Sequence, residues 1–165
     1  MASRKKAAAR ARTGGTGRKR AGGAKRAPRK ATGSTGLSLK SVAPSFTVSD
    51  LQKSIAWYQD VLGCAVKDRW ESNGTLMGVE MSAGAVIVML SQDDWKKGRD
   101  RVKGEGFRLF CDTAQDVDGL ADRIKARGGT LAEEPKDQEW GARTLAVEDP
   151  DGFKITIARI KRRGR

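Results

Sequence analysis

The spacing of apolar residues changes period several times between Ser41 and Ile160, and each change marks an element. Val42, Phe46 and Val48 alternate with smaller or polar residues, the period that places one set of side chains on one face of a strand. Leu51, Ile55, Tyr58 and Leu62 then recur at helical spacing behind Ser49 or Asp50, either of which can cap a helix, and Gly63 stops that helix. Strands are predicted over 64–71, 75–81 and 85–90, the first two joined by the tight turn Asn73-Gly74 and the third following Gly84.

After a polar loop over 91–105, which holds Trp95 and a run of mixed charges, the same order returns. A strand over 107–112 leads to a helix capped by Asp116, with Val117, Leu120 and Ile124 on one face and Gly128-Gly129 at its end. Three more strands follow over 130–133, 143–148 and 153–160. In the last, Phe153, Ile155 and Ile157 face one way while Lys154, Thr156 and Ala158 face the other. One supersecondary unit written twice, over 41–91 and 105–160, predicts an α+β fold of two βαβββ modules, with paired curved sheets around a cleft and the helices outside.

Charge divides the chain at a different place. Lys and Arg number 33 against 20 Asp and Glu, and 13 of the basic residues but none of the acids lie in residues 1–40. The remainder balances at 20 against 20, and Arg159, Lys161, Arg162, Arg163 and Arg165 place a second basic cluster at 159–165. The body over 41–158 therefore carries 15 basic and 20 acidic residues and is mildly acidic. Residues 1–36 are almost wholly Ala, Gly, Lys, Arg, Thr and Ser, with Pro28 and no aromatic or large aliphatic residue after Met1. Nothing there offsets the entropy of ordering, so a disordered tail is expected over 1–40.

Lys and Arg among small spacers track a phosphate backbone without reading sequence, which favours nonspecific nucleic-acid contact through 1–36 over an inert solubilising extension. The tail's composition resembles the arms of histone-like proteins, and it also matches organelle transit peptides. Cys64 and Cys111 offer no disulfide framework and suit a reducing compartment. No apolar run approaches the roughly 18 residues needed to span a bilayer. The expectation is a cytoplasmic protein without a membrane partner, nucleoid-associated if the tail engages DNA.

Two segments carry a family resemblance. Val48-Ser49-Asp50-Leu51-Gln52-Lys53-Ser54-Ile55-Ala56-Trp57-Tyr58, ending at Leu62-Gly63, and Val147-Glu148-Asp149-Pro150-Asp151-Gly152-Phe153-Lys154-Ile155 resemble the vicinal-oxygen-chelate superfamily. That superfamily includes glyoxalase I, extradiol dioxygenases, fosfomycin-resistance enzymes and bleomycin-binding proteins. Each segment also has a purely structural reading, the first as a capped amphipathic helix and the second as a hairpin turn. The resemblance implies four metal ligands, usually His, Glu or Gln, which fall here on Ala43, Val88, Leu109 and Thr156. One-residue slips give Pro44, Met89, Arg108 or Ile155, and the chain has no histidine. Such a set offers no divalent ion a donor shell, so neither a metal nor another cofactor is expected, and metal-dependent glyoxalase or dioxygenase activity is not either.

Catalysis without histidine leaves Glu80 as a lone general-base candidate, more simply an exposed strand carboxylate. Binding has more to draw on. Trp70, Met77, Met89, Phe107, Arg108, Trp140 and Arg143 come from strands or strand ends that can line a cleft, and aromatic walls with one or two cations suit a planar or anionic organic ligand. The same tryptophans read equally well as core or interface residues. The leading expectation is a metal-free small-molecule binder of this family. A metal-independent lyase or isomerase and a nucleic-acid-associated interaction protein stand as alternatives. A homodimer is implied by the resemblance alone.

Overall fold

The computed structural model describes Leu37 and residues 39–161; of the tail expected over 1–40, residues 1–36 and 38 lie outside the described residues, as does the chain end 162–165. The first module runs β1 (Ser45–Val48), α1 (Leu51–Asp60), β2 (Ala65–Ser72), β3 (Thr75–Ala83) and β4 (Val86–Gln92). The second runs β5 (Arg108–Asp112), α2 (Val117–Ala126), β6 (Leu131–Asp137), β7 (Ala142–Glu148) and β8 (Lys154–Ile160). Each module folds its strands into one four-stranded mixed sheet, β1-β4-β3-β2 and β5-β8-β7-β6, in which the first strand runs parallel to the last. The fold is the expected α+β arrangement of two βαβββ modules.

Local chemistry explains the boundaries. Asp50 and Asp116 are the N-caps, each carboxylate accepting from the amide three residues on, Lys53 and Gly119. Asn73 and Gly74 have φ of 50° and 73°, the two positive angles of a hairpin turn whose twist matches its strands. β1 is shorter than its hydrophobic pattern. The Pro44 carbonyl accepts from Met89, but proline has no N–H to continue the ladder, and Val42 is left exposed. β6 runs four residues past its expected end, crossing Pro135 at a register shift, where the missing donor is tolerated.

Helix α1 lies on β2, β3 and β4, and α2 on β6, β7 and β8. Phe46, Val48, Val79, Met81, Val88 and Leu90 on the first sheet join Leu145, Val147 and Ile155 on the second in a single buried core with Leu51, Ile55, Tyr58, Val117 and Ile124. The modules thus meet through their helix-bearing faces, so within one chain the helices lie at the join and not outside it, where the sequence pattern alone puts them. Phe46 stacks on Phe153 at 4.2 Å with the rings 9° apart, and Gly129, lacking a side chain, lets Val61 and Ile124 close over it. The turn Asp149-Pro150-Asp151-Gly152 fastens the seam as well as reversing the chain. Asp149 accepts from the buried Tyr58 hydroxyl, and the Asp151 carboxylate accepts the Ser49 amide at 3.0 Å.

The loop between the modules is pinned at the same place. Lys103, with a side chain 6% exposed, lies 2.9 Å from Asp93, donates to Ser49 Oγ at 2.9 Å and sits 3.7 Å from Asp151. Arg101 also pairs with Asp93, and both Arg99 and Lys103 lie over the Trp95 ring. No helix among the described residues is long and apolar enough to cross a membrane.

Candidate functional site

Because the helix-bearing faces are joined, the other face of each sheet turns outward, and strand register says which residues stand on it. On the second sheet Phe110 is opposite Thr156, Thr156 opposite Ala146, Thr144 opposite Ala158, and Lys136 opposite Thr144. Alternation adds Arg108 beside Phe110. The middle of this face is a floor of small side chains, Thr144, Ala146, Thr156 and Ala158. Taller residues border it, Arg108, Phe110, Glu133, Lys136, Gln138 and Trp140, around a shallow recess of about 320 Å³ that is open to solvent. Phe110 and Trp140 have ring centroids 6.1 Å apart and remain 51% and 56% exposed. The Gln138 amide donates to Thr144 Oγ1, and Lys136 pairs with Glu133 at 3.1 Å. Thr156 Oγ1 is buried on the floor and has no hydrogen-bond partner.

The outward face of the first sheet holds Ser45, Thr47, Gly78, Glu80, Met89 and Ser91 by the same pairing. The Trp70 ring lies flat over Gly78, where a Cβ would come within 2.0 Å of it. Glu80 pairs with Lys67 at 3.3 Å.

The residues singled out from sequence therefore separate. Arg108 and Trp140 share the recess, joined by Phe110 and Thr156, which the binding prediction did not include. Trp70, Met89 and Glu80 share the outward face of the first sheet. Met77 is half-buried on β3, and Phe107 stands edge-on to Phe46 at 5.7 Å, beside the seam. Arg143 lies with Leu145 and Val147 on the helix side, where its guanidinium takes Asp118 of α2 at 2.5 Å. That ion pair holds the Asp118 carboxyl below its ordinary range.

Alternation would have shown this, since Arg143, Leu145 and Val147 are two apart. It would also have found Phe110, two residues beyond Arg108.

Within one chain the cleft that both modules line is apolar and small. Tyr58, Leu62, Cys64 and Val88 face Leu109, Cys111, Leu120 and Ile157 around about 170 Å³, below the roughly 300 Å³ at which small-molecule pockets begin. Burial, with a lesser contribution from Cys111, pushes the Cys64 thiol up to about 11, and burial raises Cys111 also, so both are protonated at neutral pH.

The donor set for a family metal can be tested on these faces. Of the four positions the resemblance implies, Thr156 alone lies on an outward sheet face; Val88 and Leu109 belong to the helix side, and Ala43 precedes β1. Outward-facing neighbours supply a guanidinium at Arg108, an arene at Phe110, a thioether at Met89 and single carboxylates such as Glu80 and Glu133, which stand on different sheets and are each paired with a lysine. A divalent ion needs several imidazole, carboxylate or thiolate donors converging on one point, so these residues do not fit one.

Comparison with known proteins agrees with the architecture. The family model of the Glyoxalase/Bleomycin resistance protein/Dioxygenase superfamily matches residues 39–157. A probable lactoylglutathione lyase of Synechocystis sp. is 35% identical over 118 residues, covering 67% of this chain and 87% of that protein. One of Vibrio cholerae is 32% identical over 121 residues, covering 69% and 86%. Among solved structures, TnmS3, an antibiotic binding protein from Streptomyces sp. CB03234, superposes with a TM-score of 0.60 at 24% identity, covering 76% of this chain and 100% of that one, a likeness of fold. Two repeated modules, each with its first strand parallel to its last, matched by the family model along almost their whole length, make this chain a member of the Glyoxalase/Bleomycin resistance protein/Dioxygenase superfamily.

Proposed function

We propose that the chain binds a small organic molecule in the recess on the second sheet, without a metal, and that a second copy completes the site. The observation that carries this reading is the pair Phe110 and Trp140, two large aromatic side chains left half in solvent over a floor of Thr and Ala. Exposed aromatic surface of this kind is what a flat ligand or a partner covers. The outward face of the first sheet offers the matching cover, with Trp70, Met89 and Glu80. A second copy related by a two-fold axis would lay that face over the recess and receive the same in return.

Two measurements test it on the full chain. Sedimentation should report a dimer, and a panel of flat aromatic compounds should include members that change tryptophan emission in the wild type and not in Trp140→Phe. A monomer whose emission responds to no compound refutes the reading.

The names of the sequence relatives favour a second reading, a metal-independent lyase or isomerase with Glu80 as base. It is tested by assaying S-lactoylglutathione formation from methylglyoxal and glutathione. Turnover that survives chelation and is lost in Glu80→Gln would establish it over simple binding. For residues 1–36 the reading stays with charge: a nonspecific nucleic-acid arm, whose DNA affinity falls steeply with salt and disappears when the segment is deleted.

A further inference from the structure

We propose that the recess selects an arenecarboxylate, a flat aromatic ring bearing one carboxylate, with the Arg108 guanidinium and the Thr156 hydroxyl clamping the two oxygens. The inference rests on the binding role proposed above and adds the chemistry of what is bound.

The first support is the state of the polar groups around the recess. Its neighbours are committed: Lys136 to Glu133, and the Gln138 amide to Thr144. Arg108 is exposed and has no ion-pair partner among the described residues. Thr156 is 9% exposed, and its hydroxyl is fully buried without a partner. A buried hydroxyl is nearly always hydrogen-bonded in a folded protein, so one left unmet on the floor of a recess marks a place for a ligand atom. Because Thr156 is opposite Phe110, and Arg108 is two residues before Phe110 on the same face, the hydroxyl and the guanidinium are diagonal neighbours within reach of one small group.

The second support is charge and shape. One uncommitted cation matches one negative charge, since Lys136 and Lys154, the other cations on this face, are already paired with Glu133 and Glu148. A guanidinium presents two parallel N–H groups to a planar carboxylate, and the hydroxyl supplies a third donor. The ring beyond the carboxylate would lie against Phe110 and Trp140, and about 320 Å³ admits one or two fused rings.

The test uses the full chain and two matched probes, 1-naphthoate and its neutral counterpart 1-naphthamide, followed by calorimetry. Naphthoate should bind at least about tenfold more tightly than the amide, the difference one well-made charged contact supplies. Arg108→Gln should erase that preference, Thr156→Val should weaken naphthoate several-fold, and Lys136→Gln should change little. Arg108 is exposed and Thr156→Val nearly keeps its shape, so both variants should fold; their circular dichroism checks it. Equal binding of the two probes, unaltered in Arg108→Gln, overturns the clamp and leaves the aromatic binding role standing. Binding of neither overturns the clamp, and the wider panel of flat aromatic compounds with sedimentation then decides the binding role.

Discussion

Replacing Lys103 by Met should cost about 2–3 kcal/mol, although this lysine lies in a loop. Its ammonium is almost wholly buried between Asp93 and Asp151, whose side chains are 3% and 7% exposed, and it also donates to Ser49 Oγ. Methionine keeps much of the stem and removes the charge. Breaking a buried ion pair and leaving the acid alone costs about 3–5 kcal/mol; Asp93 keeps Arg101 and the Trp95 amide, and Asp151 keeps the Ser49 amide, which sets the lower figure. For a folded unit of this size that is a fall of about 6–15 °C in Tm.

The pH dependence provides a second reading of the same experiment. The hydrogen bond from Lys103, followed by the Trp95 amide and Arg101, holds the Asp93 carboxyl well below the usual carboxylate range against the opposing effect of burial. A depressed folded pKa contributes stability that is present above the unfolded value of about 4 and is lost as pH falls through the folded one. The gap between wild type and Lys103→Met should therefore narrow in acid. Thermal unfolding followed by circular dichroism from pH 2 to pH 8 measures both effects, the narrowing falling below about pH 4. Lys96→Met, which breaks an exposed pair with Asp94, is the control and should cost under about 0.5 kcal/mol. The reasoning is refuted if Lys103→Met is no worse than Lys96→Met, or if the gap between Lys103→Met and wild type is the same at every pH.

Three further outcomes follow from the seam and the sheets. Tyr58→Phe removes the bond to Asp149 at 3.2 Å and should cost about 1–2 kcal/mol in denaturant unfolding. In the wild type this single tyrosine, pushed well above its ordinary range by burial and then by Asp149, should give no tyrosinate absorbance on alkaline titration until the protein unfolds. Asp149 has the opposite sign to Asp93: burial raises its carboxyl, so its contribution to stability is full below the unfolded pKa and declines as pH rises through the folded one. Asp149→Asn, which can still accept from the Asp151 and Phe153 amides, should remove that decline from the stability profile. Gly78→Ala should displace the Trp70 ring and press on the Leu90 carbonyl, costing about 1–3 kcal/mol and shifting tryptophan emission.

Both caps, all eight strands and the repeat were legible in the sequence because each is a local pattern: a carboxylate before a helical period, or alternation between turn residues. Strand ends were less so. Val42 continues an apolar pattern, yet Pro44 withholds the hydrogen bond that would include it, and β6 continues through Pro135 because pairing with β7 outweighs its mixed composition. The candidate site is legible in part: Arg108 and Trp140, expected to line a cleft, both border the recess, whereas Arg143, expected beside them, lies with Leu145 and Val147 toward α2, where alternation places it.

The link from Asp151 to Ser49 spans 102 residues, and no local pattern announces it. A hairpin turn explains the Asp149 to Gly152 segment well enough to hide its second role. Nothing in the sequence sets Lys103 apart from the other charges of its loop, because burial of a charge depends on what the rest of the fold brings to it.

The arrangement of faces has an evolutionary consequence. The aromatic and cationic side chains around the recess share a sheet with the core but point away from it, so the residues proposed to choose a ligand are largely separate from those that hold the fold. On that binding role, exchanging Arg108, Phe110 or Trp140 would alter what is recognised while Leu145, Val147 and Ile155 beneath remain packed. A scaffold divided in this way can lose one chemistry and acquire another through a few surface changes, without passing through an unfolded intermediate sequence.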